Sequence, residues 1–194
     1  MMDGMHWESL GEDAWIVRNL VTEPWRYVES AESLPGVLEA AACFESLGVW
    51  TEEGFDPAVF EGLTPSGALE PRTIVVPTVY DGPDLAEAAG LLQMSEAELA
   101  ALHASVNYRC GAVGFQPGFP YLGPLPAPLD RLPRRSSPRP RVPKGSVAIA
   151  AGMSGIYPGE SPGGWWLLGR TDLPLVMGER TLFRAGDIAR FVAI

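Results

Sequence analysis

Cysteine, lysine, long apolar runs and nucleotide-binding glycine motifs are all nearly missing from this 194-residue chain. The two cysteines, Cys43 and Cys110, stand alone, with no CxxC pair and no neighbouring ligand cluster. That arithmetic argues against a disulfide framework and against a zinc centre. No stretch of 18 apolar residues occurs, so no transmembrane helix is expected. The opening Met-Met-Asp-Gly-Met-His-Trp-Glu segment is acidic and lacks the basic and apolar regions of a signal peptide, so a cytoplasmic location is expected. There is no Walker motif, so no cofactor is expected on this chain alone, ATP included. Internal repeats and low-complexity segments are also absent.

What is present is glycine, proline and an uneven distribution of charge. The chain has 22 Gly and 19 Pro, which punctuate turns and favour many short strands over long helices. Net charge is −10, with 24 acidic and 14 basic residues. Residues 1–71 hold 14 acids against Arg18 and Arg26, and residues 72–194 hold 12 basic residues against 10 acids. Such asymmetry predicts two domains with different roles. Lys144 is the single lysine, and it closes a run with Arg131, Arg134, Arg135, Arg139 and Arg141.

The first domain reads as mixed α/β: a strand at Ala14–Val17, a helix over Trp25–Ala31 with Pro24 in its first turn, and a strand at Leu47–Thr51. The apolar Val37–Phe44 segment is of undecided type, and Asp56-Pro57 opens a short helix. Thr64–Pro71 is built from turn residues and is the expected linker. Thr73–Val79 then predicts an edge or bulged strand because of Pro77. Asp84 is placed as the N-cap of a helix over Leu85–Gly90, and Ser95 to Glu98 forms a capping box that opens a second helix through His103. Beyond Tyr108 helical periodicity stops. Short strands at Cys110–Phe115, Ser146–Ala150, Trp165–Gly169, Thr181–Phe183 and Ile188–Val192 suggest a barrel or sandwich.

Four segments stand out: Gly114–Gly123, Pro133–Gly145, Gly152–Pro158 and Glu160–Trp165. Their glycines and prolines hold a fixed backbone path, and the interleaved Phe115, Phe119, Tyr121, Tyr157, Trp165 and Trp166 supply flat walls suited to a small-molecule pocket. The same composition also describes barrel turns with aromatics filling a core. The arginine run reads either as a solvated loop or as a carboxylate or phosphate clamp; nucleic-acid binding fits poorly with an acidic chain lacking a broad basic face. Gly159-Glu-Ser-Pro-Gly163 matches the G-x-S-x-G pattern, but Pro162 has no N–H for an oxyanion hole and a strand follows, so Ser161 is not read as a nucleophile. His103 is either a helix C-terminal residue favoured by the dipole or an acid/base group.

Taken in order, Val76-Pro-Thr-Val-Tyr80, Gly82-Pro-Asp-Leu85, Leu102-His-Ala-Ser105, Gly114–Gly123, Pro133–Ala150, Gly155–Pro158, Ser161–Trp165, Leu168-Gly-Arg-Thr171 and Arg184–Phe191 resemble the KipI family, which includes the PxpB component of 5-oxoprolinase and allophanate hydrolase subunit 1. Nine ordered matches across residues 72–194 are far more specific than any one of them. Two departures fall near the expected site. Met153 stands where the family has glutamine, and Lys144 adds a charge before the Val147–Ala150 strand.

The resemblance implies an α+β protein: a small α/β (ferredoxin-like) domain over residues 1–70, shortened relative to the family, then a cyclophilin-like β-barrel of the carboxyltransferase type over residues 71–194. It implies a non-autonomous subunit of an ATP-dependent 5-oxoprolinase, cleaving 5-oxo-L-proline to L-glutamate, with ATP used by the assembled complex. The implied partners are a KipA-like (PxpC-type) subunit, a LamB/YcsF-like (PxpA-type) subunit and an amide or lactam ligand, with no nucleic acid and no membrane. A KipI-like inhibitor of a sensor histidine kinase is the alternative. Within that frame His103 and Tyr157 are the candidate catalytic residues. Phe115, Gly118, Phe119, Tyr121, Arg134, Arg139, Ser146, Ser154, Ser161, Gly163, Gly164 and Trp165 are the candidate substrate-binding residues, and no metal site is expected.

Overall fold

A computed structural model describes residues 4–66 and 70–194. The chain divides into two compact units, Met1–Pro71 and Arg72–Ile194. Gly67, Ala68 and Leu69, in the middle of the expected linker, lie outside the described residues.

In the first unit, strands β1 (His6–Ser9), β2 (Ala14–Arg18), β3 (Val37–Cys43) and β4 (Ser46–Thr51) form an antiparallel sheet in the order β1-β2-β4-β3. The undecided Val37–Phe44 segment is therefore a strand, and His6 belongs to one as well. The helix expected over Trp25–Ala31 starts as a 3-10 turn at Pro24–Tyr27 and becomes helix α1 at Val28–Glu32. Proline fixes φ in the first turn and lacks the N–H that the helix leaves unbonded there. Val17, Tyr27, Ala31, Ala40, Leu47, Val49, Phe60 and Leu63 form the unit's own core.

The second unit contains β5 (Thr73–Thr78), α2 (Leu85–Leu91), α3 (Glu96–Ala104), β6 (Asn107–Val113), β7 (Pro120–Gly123), β8 (Arg139–Val142), β9 (Ser146–Ala150), β10 (Met153–Ile156), β11 (Ser161–Gly163), β12 (Trp166–Arg170), β13 (Val176–Met177), β14 (Arg180–Thr181) and β15 (Ile188–Ala193). Seven of these strands make one sheet in the order β12-β9-β10-β7-β6-β15-β5. Its two ends meet at an isolated bridge, where Val79 and Arg170 exchange backbone hydrogen bonds of 2.9 Å in both directions. The result is a nearly closed barrel with few helices. All pairings are antiparallel except β5 with β15. That parallel pair starts at the buried Asp187 carboxylate, which accepts from the half-exposed Arg72 side chain and from the Arg72 and Arg184 amides.

Every strand of the seven sends side chains to one cluster, including Val76, Tyr108, Cys110, Leu122, Ile149, Ile156, Leu168 and Phe191, which is the barrel interior. Leu85, Ala88, Ala89 and Leu99 from α2 and α3 pack into the same cluster. The capping box expected at Ser95 is present, with Ser95 and Glu98 exchanging side chain-to-backbone hydrogen bonds. A second cluster, with Phe119, Val142, Ala148, Ala150, Tyr157, Trp165 and Leu167, lies on the opposite face of β7, β9, β10 and β12. The alternation is direct: along β9, Val147 and Ile149 point inward, and Ala148 and Ala150 outward. This outer cluster positions the site.

Several short strands escaped the reading of composition. β7, β8, β10 and β11 each contain glycine or proline and run for three or four residues, too short to show a period of two. The strand expected at Cys110–Phe115 is β6, shifted toward the N-terminus. Phe115 falls in the following turn at φ 70°, a conformation that bulky side chains rarely adopt.

Candidate functional site

On the outer face of the barrel, Phe119 is the hub of an aromatic cluster. Phe115, Tyr121, Tyr157 and Trp165 all meet it edge-on, with ring centroids 5.0–5.6 Å away. Such T-shaped pairs satisfy the ring quadrupoles and hold the rings in one arrangement. Together with Arg134, Pro162, Gly163 and Gly164 these five rings line a cavity of about 140 Å³. That is the space of about five waters, enough for a small ligand and too little for a nucleotide.

The backbone makes room for these rings. A Cβ on Gly163 would lie 2.3 Å from the Tyr157 hydroxyl oxygen, so only glycine passes there without moving a buried ring. Gly155 of β10 lies under Phe119 and Trp165. Burial raises the pKa of Tyr157, and the nearby Tyr121 phenol adds to this against the pull of Arg134 and Arg139. Its phenol is therefore a neutral O–H, a donor rather than a base at neutral pH.

The arginines divide into two roles. Asp84 is buried and receives Arg139 Nη2, Arg135 Nη1 at 2.9 Å and the Leu167 amide at 2.8 Å. Arg135 also reaches Glu87 at 3.0 Å and lies 4.5 Å over the Trp166 ring. Arg134, by contrast, is exposed at the cavity rim and makes no hydrogen bond or ion pair among the described residues. Asp84 holds the expected N-cap position of α2, but its carboxylate makes no cap hydrogen bond and accepts instead from the two arginines and the Leu167 amide.

His103 lies in the barrel interior, fully buried, and is not among the residues lining the aromatic cavity. Nδ1 is 2.7 Å from the Tyr80 hydroxyl and Nε2 is 2.9 Å from Ser154 Oγ. Ser154 donates its one proton to the Ala148 carbonyl, so Nε2 carries the imidazole proton and Nδ1 accepts from Tyr80. Burial lowers the pKa of His103 to about 3, which keeps the ring neutral. Desolvation also holds the Tyr80 phenol well above its ordinary value.

Eight of the fourteen candidate residues thus share one cavity: Phe115, Phe119, Tyr121, Arg134, Tyr157, Gly163, Gly164 and Trp165. The other six are placed elsewhere. His103 and Ser154 bond to each other inside the barrel. Arg139 braces Asp84. Ser146 Oγ donates to the Pro143 carbonyl. Ser161 lies in β11, paired with Val142, and its hydroxyl donates to the Pro162 carbonyl. Gly118 shapes the turn before Phe119 at φ 84°. Met153 packs on the outer cluster beside Gly123 without lining the cavity. Sequence reasoning missed the bracing role of Asp84, whose partners are 51 to 83 residues away. Among the described residues no group of three or more His, Cys, Asp and Glu could hold a metal ion.

Fold and site together define an α+β protein with a nearly closed barrel that carries an aromatic pocket on its outer face. Residues 14–182 match the carboxyltransferase domain, subdomain C and D, and the chain belongs to that family. It is 42% identical over 182 residues to the B component of 5-oxoprolinase from Escherichia coli O157:H7, covering 87% of this chain and 83% of that one. It is 34% identical over 226 residues to the B component of 5-oxoprolinase from Bacillus subtilis (strain 168), covering 96% and 92%. A crystal structure of TTHA0988 superposes with a TM-score of 0.79 at 33% identity over 98% of this chain. The chain spans 40% of the TTHA0988 chain. Among the described residues no helix is long and apolar enough to cross a membrane.

Proposed function

We propose that this chain is the PxpB-type component of an ATP-dependent 5-oxoprolinase complex that opens 5-oxo-L-proline to L-glutamate. The observation that carries the reading is a pocket of five aromatic rings with the unpaired Arg134 at its rim. Its support is the likeness to proteins named as the B component of 5-oxoprolinase. A five-membered lactam is flat and largely apolar on its two faces, and it carries one carboxylate. The ring lies against the aromatic walls of the cavity, the carboxylate pairs with Arg134, and the amide edge meets the Gly163-Gly164 backbone. A lactam carbonyl is a poor electrophile, so ring opening draws on ATP. This chain contributes binding and orientation, and the Tyr157 hydroxyl donates a hydrogen bond to the carbonyl.

His103 has no place in that chemistry, since it is neutral and committed to Tyr80 and Ser154. The reading needs ATP used by the assembled complex, with a KipA-like subunit and a LamB/YcsF-like subunit as partners.

The test is reconstitution with those two subunits and measurement of 5-oxoproline-dependent ATP hydrolysis, with urea as the competing substrate. Arg134→Ala lowers kcat/KM for 5-oxoproline roughly 10- to 100-fold, the loss of one charge-assisted hydrogen-bonded pair. ATP hydrolysis driven by urea instead of 5-oxoproline, or an Arg134→Ala complex with wild-type kcat/KM, would overturn the assignment.

A further inference from the structure

Arg134 borders a second cavity, of about 250 Å³, which it shares with Arg135, Ser136, Ser137, Glu87 and the Trp166 ring. The charges around it do not balance. Arg134, Arg135 and Arg139 face two carboxylates, Asp84 and Glu87, and the pairs found are Arg135 with both acids and Arg139 with Asp84. Glu87 is therefore neutralised within the cluster, and the surplus positive charge belongs to Arg134. Ser136 and Ser137 are exposed, and among the described residues neither hydroxyl nor backbone amide makes an intrachain hydrogen bond. The Arg134–Ser137 turn thus presents donors that have no acceptor among the described residues, beside one carboxylate, Glu87, that is paired with Arg135. Pro133 and Pro138 bracket the turn and limit the backbone entropy lost when a ligand orders it.

A guanidinium, two hydroxyls and two amides suit a tetrahedral oxyanion, whose oxygens each accept more than one hydrogen bond. We propose that the Arg134–Ser137 turn is a phosphoryl-binding subsite adjoining the aromatic pocket, with Arg134 shared between the two. The subsite deepens the lactam reading and rests on it only for the neighbouring ligand. The phosphoryl group has two sources, free phosphate or a nucleotide.

The experiment titrates inorganic phosphate, MgATP and 5-oxoproline separately into the full-length chain by calorimetry. The wild type is compared with Ser136→Ala/Ser137→Ala, Arg134→Ala, Arg134→Lys and Phe115→Ala, and thermal unfolding confirms that each variant is folded. The double serine variant and Arg134→Ala weaken phosphate binding at least about tenfold, and Arg134→Lys weakens it less because the charge remains. The double serine variant leaves 5-oxoproline binding unchanged, and Phe115→Ala weakens 5-oxoproline while leaving phosphate unchanged. MgATP binding more tightly than phosphate, with the same variant pattern, identifies the nucleotide as the source, and the reverse order identifies the free anion. Phosphate and MgATP that fail to bind, or that bind the serine and arginine variants as well as the wild type, would overturn the subsite. Phosphate that behaves as expected beside a lactam that does not bind would remove the aromatic-pocket reading and leave the subsite standing.

Discussion

At the scale of single residues, His103 shows how much a helix pattern tells and where it stops. Its spacing from Leu99 by four residues puts both on one face of α3, and both are fully buried. Helix periodicity reveals that much. It does not reveal what the interior offers, because Tyr80 and Ser154 come from 23 and 51 residues away. The same long reach hid the role of Asp84. A histidine held neutral inside the fold has a consequence for acid stability. Its folded pKa of about 3 lies below the unfolded value of about 6.5, so below pH 6.5 the unfolded chain binds the proton that the folded chain refuses. The contribution is whole above about pH 6.5 and is lost progressively as the pH falls toward 3. Between pH 7 and pH 5 this residue alone removes about 2 kcal/mol from the unfolding free energy. Urea unfolding of the wild type and His103→Gln at both pH values checks it. The wild-type loss exceeds that of the variant by about this amount, and equal losses would exclude His103 as the source.

At the scale of elements, the barrel seam and the pocket depend on a few close backbone approaches. The composition of the loops from Gly114 to Trp165 fitted either a pocket or aromatics filling a core, and the structure places most of those aromatics around one cavity. The strands that frame it were not legible in the same way, because β7, β10 and β11 draw their regularity from neighbours in the sheet rather than from an alternating pattern of their own. Nor did the motifs separate inward from outward residues. Ser154 and Gly155 are adjacent in sequence, yet one bonds His103 in the interior and the other underlies Phe119 outside. The seam between β5 and β12 is a similar tertiary feature. A Cβ on Gly169 would fall 2.2 Å from the Val79 carbonyl oxygen, against backbone that cannot rotate away. Gly169→Ala therefore pushes apart the bridge that closes the barrel. It lowers stability by about 1–3 kcal/mol, the usual range for overpacking, and speeds hydrogen exchange at the Val79 and Arg170 amides while leaving Tyr108 and Ala189 protected. Unaltered exchange at the two seam amides would show that the bridge does not close the barrel energetically.

At the scale of the whole molecule, the charge asymmetry seen in the sequence coincides with two separate cores. The N-terminal 71 residues carry a net charge of −12, and their two cations already pair locally, Arg18 with Glu8 and Arg26 with Glu23. The remaining acids repel one another across a small unit. The second unit is nearly neutral, so its exposed charges of both signs largely offset one another, and its buried carboxylates, Asp84 and Asp187, are paired with arginines. Salt acts on exposed charges within a Debye length, about 10 Å at 0.1 M, and much less on buried pairs. Raising NaCl from about 0.05 M to about 0.5 M therefore stabilises the first unit by on the order of 1 kcal/mol, a sum of exposed repulsions worth a few tenths each. Native-state hydrogen exchange reads the two units separately. Protection rises with salt at Leu47 and Val49, in the core of the first unit, and stays level at Val147 and Ile149 in the barrel. A uniform rise in both places would point to a general salt effect on burial, and a fall at Leu47 and Val49 would mean that the Arg18 and Arg26 pairs outweigh the repulsion among the other acids.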